Sequence, residues 1–292
     1  MLTNEIILSF IPNYIASGFN ERSMLDRLAP YVSGAEAWTG QYVADESVLD
    51  SIDNPELRNK VLSNLQATAT IRLLLDAAPM LDVTLHPNGL AVVNTDSLAP
   101  ASTARVQEFK TALERQLIRF ASLVISDLSA NETWRDSFPG RNYWTCHMFT
   151  TPESIVTSGI AERRWDDIMQ SISAIVCAEL LIAENYISRE LMLLLDQWEF
   201  EEIDRKKYLE SLKKSLLPLV AGTAKWIRKE GIEVELPAAC RPPALIETRL
   251  FALVEHIKKN PLYFPEWHRS KTANLFYPPK FVNKKSSGGY FF

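Results

Sequence analysis

The sequence predicts a mainly α-helical fold with two tandem helical units, each with a small β-strand or β-hairpin element, and an extended C-terminal tail. Apolar residues recur at three- and four-residue spacing through most of the chain, which is typical of amphipathic helices. The order of elements in the first half returns in the second. The 292 residues correspond to about two domains, and a composition of 47% hydrophobic and 23% charged residues is typical of a globular protein.

The first unit is predicted to span residues 1–128. Asn54-Pro55-Glu56 begins a long helix, because asparagine is a good N-cap and proline favours the first helical position. Alternating residues on both sides of His86-Pro87-Asn88-Gly89 predict a β-hairpin near 81–94. A proline and an amphipathic helix from Thr103 to Leu128 complete the unit.

The second unit, residues 161–270, repeats this order. An Ala-Glu pair occurs at Ala35-Glu36 and again at Ala178-Glu179, and Tyr42-Val43-x-x-Glu46 returns as Tyr186-Ile187-x-x-Glu190. The alternating segment Ile232–Leu236 is the predicted strand of this unit, and a proline and a helix from Leu245 to Lys259 follow it. The repeated order indicates an internal duplication, although short coincidences between helical sequences are the alternative.

Residues 129–160 connect the two units and are rich in aromatic side chains and turn residues. This composition is too apolar for a solvated linker and predicts an ordered segment packed across the two halves. Five of its residues are the candidate wall of a ligand pocket between the halves: Trp134, Tyr143, Trp144, Cys146 and His147.

The tail, residues 271–292, differs from the rest of the chain in charge and composition. It carries four lysines and no acid, whereas the net charge is −6 over residues 1–145 and −3 over 146–270. Its prolines and glycines exclude a long helix, so we expect its aromatic side chains to anchor it on its own body or on a neighbour. These candidate protein–protein anchors are Phe276, Tyr277, Phe281, Tyr290, Phe291 and Phe292.

Motifs for catalysis and cofactor binding are missing from the sequence. None of the four histidines has the spacing of a zinc helix, no Cys-x-x-Cys occurs, and the Gly-x-Ser-x-Gly elbow and the P-loop are absent. The three cysteines, Cys146, Cys177 and Cys240, form no disulfide framework. We therefore predict no catalytic residues, no metal, no cofactor and no enzymatic activity.

Two further patterns bear on partners. The apolar stretch from Ile168 to Leu195 is interrupted by charges too often to span a membrane, and the N-terminus lacks the basic region of a signal peptide. Arg205 to Lys229 is basic, with Glu210 as its single acid. On a helix these charges are expected to spread around the axis, which favours salt bridges or a charged lumen over a sequence reader.

The hairpin segment resembles a family of uncharacterised proteins encoded in prophages of gut bacteria. The matching residues are Leu81–Asp96, Ala99–Ser102, Arg105-Val106 and Phe149–Glu153. The layout of each half is also similar to that of the head-to-tail connector (adaptor) proteins of tailed phages, small helical proteins with a hairpin and a terminal arm that form rings beneath the portal. This chain has two copies of that layout, so the resemblance implies no ring number.

The sequence therefore favours a structural assembly protein of a phage or prophage-derived particle, a head-to-tail connector that forms a ring next to the portal. The expected partners are copies of itself, portal and tail or neck proteins, and DNA passing through a channel without sequence specificity; no membrane is expected. The expected location is the neck of a virion assembled in the bacterial cytoplasm. The alternative is an enzyme or small-ligand-binding protein with its site between the halves.

Overall fold

A computed structural model describes residues 2–10, 24–81, 83–86, 89–92, 102–196, 203–231 and 241–277. The chain divides into two compact units, Met1–Ala174 and Ile175–Phe292. The aromatic segment 129–160 therefore belongs to the first unit, and the predicted second unit, 161–270, begins before this division.

Helices form the body of the first unit. They are α1 (Asn4–Ser9), α2 (Met24–Tyr42), α3 (Pro55–Leu81), α4 (Thr103–Leu128), α5 (Glu132–Arg135), α6 (Pro152–Thr157) and the beginning of α7 (Trp165–Ile182). The predicted start of α3 is confirmed, because Asn54 Oδ1 accepts hydrogen bonds from the N–H groups of Glu56 at 2.9 Å and Leu57 at 3.2 Å.

Helix α3 is central to the first unit, where it packs against both α2 and α4. Val61, Leu65 and Leu73 are fully buried, and burial of such side chains contributes about 1.5–3 kcal/mol each. The buried hydroxyls of Thr68 and Thr70 donate to carbonyl oxygens one turn earlier, at 2.7 and 2.8 Å. Burial of these polar groups therefore leaves no donor unpaired.

The second unit contains the end of α7 and four further helices: α8 (Arg189–Asp196), α9 (Ile203–Glu230), α10 (Ala244–Lys259) and α11 (Pro265–His268). Helices α9 and α10 pack together, and both contain buried aliphatic side chains, among them Leu216, Val220 and Val254. Arg205, at the start of α9, forms a 2.6 Å salt bridge with Glu266 of α11.

The prediction of a β element in each unit is wrong, and the architecture is mainly α. The described part of the second unit contains no strand, and Ile232–Leu236 lies outside the described residues. In the first unit, Val83–His86 (β1) and Gly89–Val92 (β2) form one short antiparallel pair with Val83 opposite Val92. An isolated two-stranded pair adds little stability, so the helices determine the fold.

The prediction of an extended tail is also wrong for its first residues. Thr272–Leu275 form a turn of 3₁₀ helix, and Thr272 and Ala273 are buried in the second unit. Residues 278–292 of the tail lie outside the described part of the chain.

Each unit contains the same short turn, built on a tryptophan and a serine three residues later. In the first unit, Ser137 Oγ donates to the carbonyl of Trp134 at 2.5 Å and accepts from Gly140 N–H at 3.4 Å. In the second, Ser270 Oγ donates to the carbonyl of Trp267 at 2.6 Å and accepts from Ala273 N–H at 3.2 Å. We call these the two tryptophan turns.

Both tryptophan turns are fastened to the end of a helix by an indole N–H. Trp134 Nε1 donates to Val43 O at 2.8 Å, and Trp267 Nε1 donates to Tyr186 O at 2.7 Å. Both accepting carbonyls lie where a helix ends in an i to i−5 hydrogen bond, from Ala44 to Thr39 and from Ser188 to Ala183. The i to i−5 hydrogen bonds occupy matching positions of the sequence repeat, whereas the two accepting carbonyls differ by one position, since Tyr186 corresponds to Tyr42.

Gly140 is required by the close approach of the backbone in the first tryptophan turn. A Cβ at this position would lie 2.8 Å from Arg135 O and closer still to Trp134 O. Gly140→Ala is therefore expected to lower the free energy of unfolding by about 2–4 kcal/mol. Chemical denaturation followed by tryptophan fluorescence measures this loss.

Gly34→Ala is the matched control, because Gly34 lies in α2 with no atom within 4 Å of its added Cβ. Alanine is preferred to glycine in a helix interior by about 0.5–1 kcal/mol, so this variant should be slightly stabilised. Equal effects of the two substitutions would contradict the close approach at Gly140.

Candidate functional site

The end of the described chain is held firmly on the second unit. Thr272 Oγ1 lies 3.4 Å from Ala183 O and 3.3 Å from Glu184 O, within hydrogen-bond distance of both carbonyls. Ala273 is buried beside it. We call residues 271–277 the C-terminal latch. They contact the segment 183–187, whose Tyr186 carbonyl also accepts the hydrogen bond from the Trp267 indole.

Two of the six predicted anchor residues belong to this latch. The Phe276 ring lies 6.0 Å from the rings of Phe251 and Trp267 and 6.4 Å from that of Tyr186. Tyr277 is 42% exposed and lies 6.1 Å from Trp267. Both therefore pack on their own chain. The other predicted anchors, Phe281, Tyr290, Phe291 and Phe292, lie outside the described residues.

The Tyr277 hydroxyl is positioned by His268. The hydroxyl lies 3.0 Å from His268 Nδ1, while His268 Nε2 lies 3.1 Å from Ile257 O. A carbonyl can only accept, so the hydrogen-bond network assigns the ring proton to Nε2 and makes Nδ1 the acceptor of the hydroxyl. Lys258 Nζ lies 5.7 Å from the Tyr277 ring, a distance typical of a cation–π contact.

Exposed large apolar side chains are frequent in the second unit. Within the latch, Leu275 is 68% exposed and Tyr277 42% exposed. Phe251, which contacts the latch through Phe276, is 43% exposed. The other exposed large apolar side chains described in this unit are Leu180, Leu193, Leu245 and Leu262. In the described part of the first unit, only Phe109 and Phe138 are comparably exposed.

An open groove of about 600 Å³ lies beside the latch. Its lining combines Leu275 with residues of both charges: Glu184, Arg189, Glu190, Arg269 and Lys271. An apolar side chain beside mixed charges is the composition of the rim of a protein–protein interface. The candidate functional site is therefore the surface formed by the latch, this groove and Phe251.

The five residues of the alternative pocket all lie in the first unit, where most of them are used in packing. Trp134 and Trp144 are each 1% exposed, and Trp144 Nε1 donates to Tyr42 O at 2.8 Å. Tyr143 stacks on Tyr42 at 5.6 Å. Cys146 is exposed, whereas the adjacent His147 is buried.

His147 serves a local structural contact. Its Nδ1 accepts a hydrogen bond from the Phe149 N–H at 3.1 Å. Burial lowers the pKa of its imidazole to about 4, because the charged form loses its hydration. The ring is therefore neutral at physiological pH, and its contact is consistent with a core histidine.

Sequence reasoning missed the two tryptophan turns and the latch. The signal was present, because Trp134-x-x-Ser137 and Trp267-x-x-Ser270 have the same spacing. The repeat was instead recognised from Ala-Glu and Tyr-x-x-x-Glu, and both alanines of the first pair, Ala35 and Ala178, are fully buried.

The described residues contain no group of three or more metal-ligating side chains that could hold an ion. Nor does any helix within them have the length and apolarity needed to cross a membrane. The comparisons with protein-family models, curated proteins and solved structures found no match to this chain.

A cluster of charged side chains lies in the second unit, apart from the latch. Asp196 of α8 and Lys213 of α9 are half-buried and interact electrostatically, and Glu179 of α7, which also acts on Lys213, is 4% exposed. Burial raises the pKa of Asp196 to about 6, while the nearby Lys213 ammonium acts in the opposite direction. Burial likewise lowers the pKa of Lys213, against the effect of Asp196 and Glu179.

The first prediction from this site concerns the latch. A chain that ends at Ser270 should be less stable in its second unit than a chain that ends at Tyr277, by about 2–4 kcal/mol, because it loses Thr272, Ala273 and the packed Phe276. Hydrogen exchange at the amides of 183–188 reports this difference locally. Equal protection in the two chains would mean that the latch contributes nothing to the unit.

The second prediction concerns Asp196. Its folded pKa is raised above the unfolded value, so the folded state binds the proton more tightly, and stability falls as pH rises from about 4 to about 6. Asp196→Asn should flatten this slope, by up to about 3 kcal/mol between the two pH values. Urea denaturation at several pH values tests it, and an unchanged slope in the variant would assign the titration elsewhere.

Proposed function

We propose that the protein is a structural assembly protein of a phage or prophage-derived particle, with no enzymatic role. In its specific form the proposal is a head-to-tail connector that forms a ring next to the portal. The observation that carries the assembly role is the exposure of Phe251, Leu275 and Tyr277 around the C-terminal latch. The resemblance to prophage-encoded proteins and to connectors supports the specific form.

Exposed apolar side chains favour association when they lie together on a well-ordered base. The latch supplies such a base, because Phe276 packs among Phe251, Tyr186 and Trp267 while Tyr277 is held by His268. These side chains are already held in place by contacts within the second unit, so a partner could bury this surface without having to order them. Less conformational entropy is then lost on association.

The chain that follows the latch has the composition of an arm. Residues 278–292 contain Phe281, Tyr290, Phe291 and Phe292, three lysines and no acid. A segment of this length spans at most about 50 Å when extended, enough to reach a neighbouring molecule. The net charge of −3 over residues 146–270 favours such a basic arm.

The repeated tryptophan turn supports an internal duplication. Two units with the same internal contacts but different exposed side chains present two different surfaces, and a ring requires a heterologous contact that closes by rotation. The enzyme alternative has weaker support, because Trp134, Trp144 and His147 of its pocket are buried in the first unit.

The test is the oligomeric state of the full chain, of a chain ending at Tyr277 and of Leu275→Ser, by native mass spectrometry with the neighbouring gene products present. The full chain should form closed oligomers, and both changes should weaken them at least tenfold in dissociation constant. Phe109→Ser is the matched control, because Phe109 is 51% exposed but lies in the first unit. A full chain that stays monomeric at all concentrations, alone and with those products, would refute the assembly role.

A further inference from the structure

Helix α9 separates its basic residues into two groups. Arg205 pairs with Glu266, and Lys213 lies in the charged cluster with Glu179 and Asp196. Lys206, Lys207, Lys214, Lys225 and Lys229 are exposed. As the sequence predicts, the basic residues of α9 taken together spread around the axis, but four of the five exposed lysines do not.

Four of the five exposed lysines lie along one side of α9, and Lys206 points about 100° away from them. At 3.6 residues per turn, Lys214 and Lys225 point within about 20° of Lys207, and Lys229 within about 40°. The distance along the axis from Lys207 to Lys229 is about 33 Å, from the rise per residue. We call this the lysine face. Ser211 and Pro218 are the exposed residues between its lysines, and Glu210 lies at its edge.

We propose that the lysine face binds the phosphate backbone of double-stranded DNA without sequence preference. The inference deepens the proposed connector role and rests on it for the source of the duplex. The length of the face equals about one turn of B-form DNA, about 34 Å. Four ammonium groups along that length match a polymer with one negative charge per about 1.7 Å of axis.

The composition of the face favours duplex DNA over other partners. No large exposed apolar side chain lies on α9 among the described residues, whereas a protein interface is depleted in lysine and needs a buried apolar or aromatic anchor. Single-stranded nucleic acid is held by aromatic side chains on which bases stack, and Ser211 and Pro218 cannot serve. Lysine presents its charge as a point and lacks the fixed fork of donors of arginine, which favours contacts with phosphate over reading of base edges.

The contact should be weak and sensitive to salt. Four phosphate contacts give a slope of about −3.6 for the logarithm of the binding constant against the logarithm of salt concentration. Affinity should therefore fall about 100-fold between 50 and 200 mM salt. Such a contact permits the duplex to slide, since no position along it is preferred.

The experiment measures binding of the full chain to a fluorescent 30-base-pair duplex over a salt series, at protein concentrations where it is monomeric. Lys214→Gln should make the slope shallower by about 0.9, and the quadruple glutamine variant of the lysine face should lose binding at least tenfold. Glu210→Gln should tighten binding. Circular dichroism checks that each variant keeps its helices.

Lys60→Gln is the matched control, because it removes one exposed lysine whose ammonium already pairs with Asp127 at 2.7 Å. Its slope should equal that of the unchanged protein. The inference would be overturned if Lys60→Gln and Lys214→Gln lost equal DNA affinity. It would also be overturned if the quadruple variant bound DNA as tightly as the unchanged protein. Tighter binding of polyglutamate than of the duplex would also overturn it and indicate an acidic protein partner. Because the measurement needs no ring, DNA binding and assembly can fail independently.

Discussion

Both units depend on a buried hydrogen bond from an indole N–H to a main-chain carbonyl at the end of a helix. The last carbonyls of a helix have no partner within it, and a buried carbonyl without a donor costs about 1–3 kcal/mol. Trp134 and Trp267 supply that donor to Val43 and Tyr186 from turns more than eighty residues further along the chain. One side chain thereby satisfies the helix end and brings a distant segment against it.

The consequences of this bond differ between the units. In the first unit, the chain after Trp134 continues into the ring contacts of Tyr143 and Trp144 with Tyr42 and Trp165, and these aromatic side chains form a core. In the second unit, the chain after Trp267 continues into the latch, where Leu275 and Tyr277 are exposed. The same turn therefore ends in packing in one unit and in a candidate interaction surface in the other.

The buried and exposed charges of the second unit follow one physical rule. A charge is buried only where an opposite charge or hydrogen bond replaces its hydration. Lys213 is half-buried near Asp196 and Glu179, and Arg205 is partly buried against Glu266. The other lysines of α9 are exposed to water. Which basic residues of α9 are partly buried and which are exposed therefore depends on the acidic residues near them. These acids, Glu179, Asp196 and Glu266, lie on three different helices.

The helical pattern and the start of α3 at Asn54-Pro55 could be predicted from the sequence, because periodicity and capping are local properties of the chain. The prediction of a β element in each unit was wrong: the described part of the second unit has no strand, and β1 and β2 of the first unit form only one short pair without a larger sheet. The candidate anchors Phe276 and Tyr277 were found from composition, but their contacts with Tyr186 and His268 were not.

The sequence by itself determined that the protein is mainly helical and that Trp134, Ser137, Trp267 and Ser270 have matching spacings. Only the tertiary structure decided that the two spacings form the same turn, that residues 271–277 pack as a latch, and that four of the five exposed lysines of α9 lie on one exposed face. The reason is that contacts between residues far apart in the chain are selected by burial of apolar surface and by pairing of polar groups, and neither can be read from neighbouring residues.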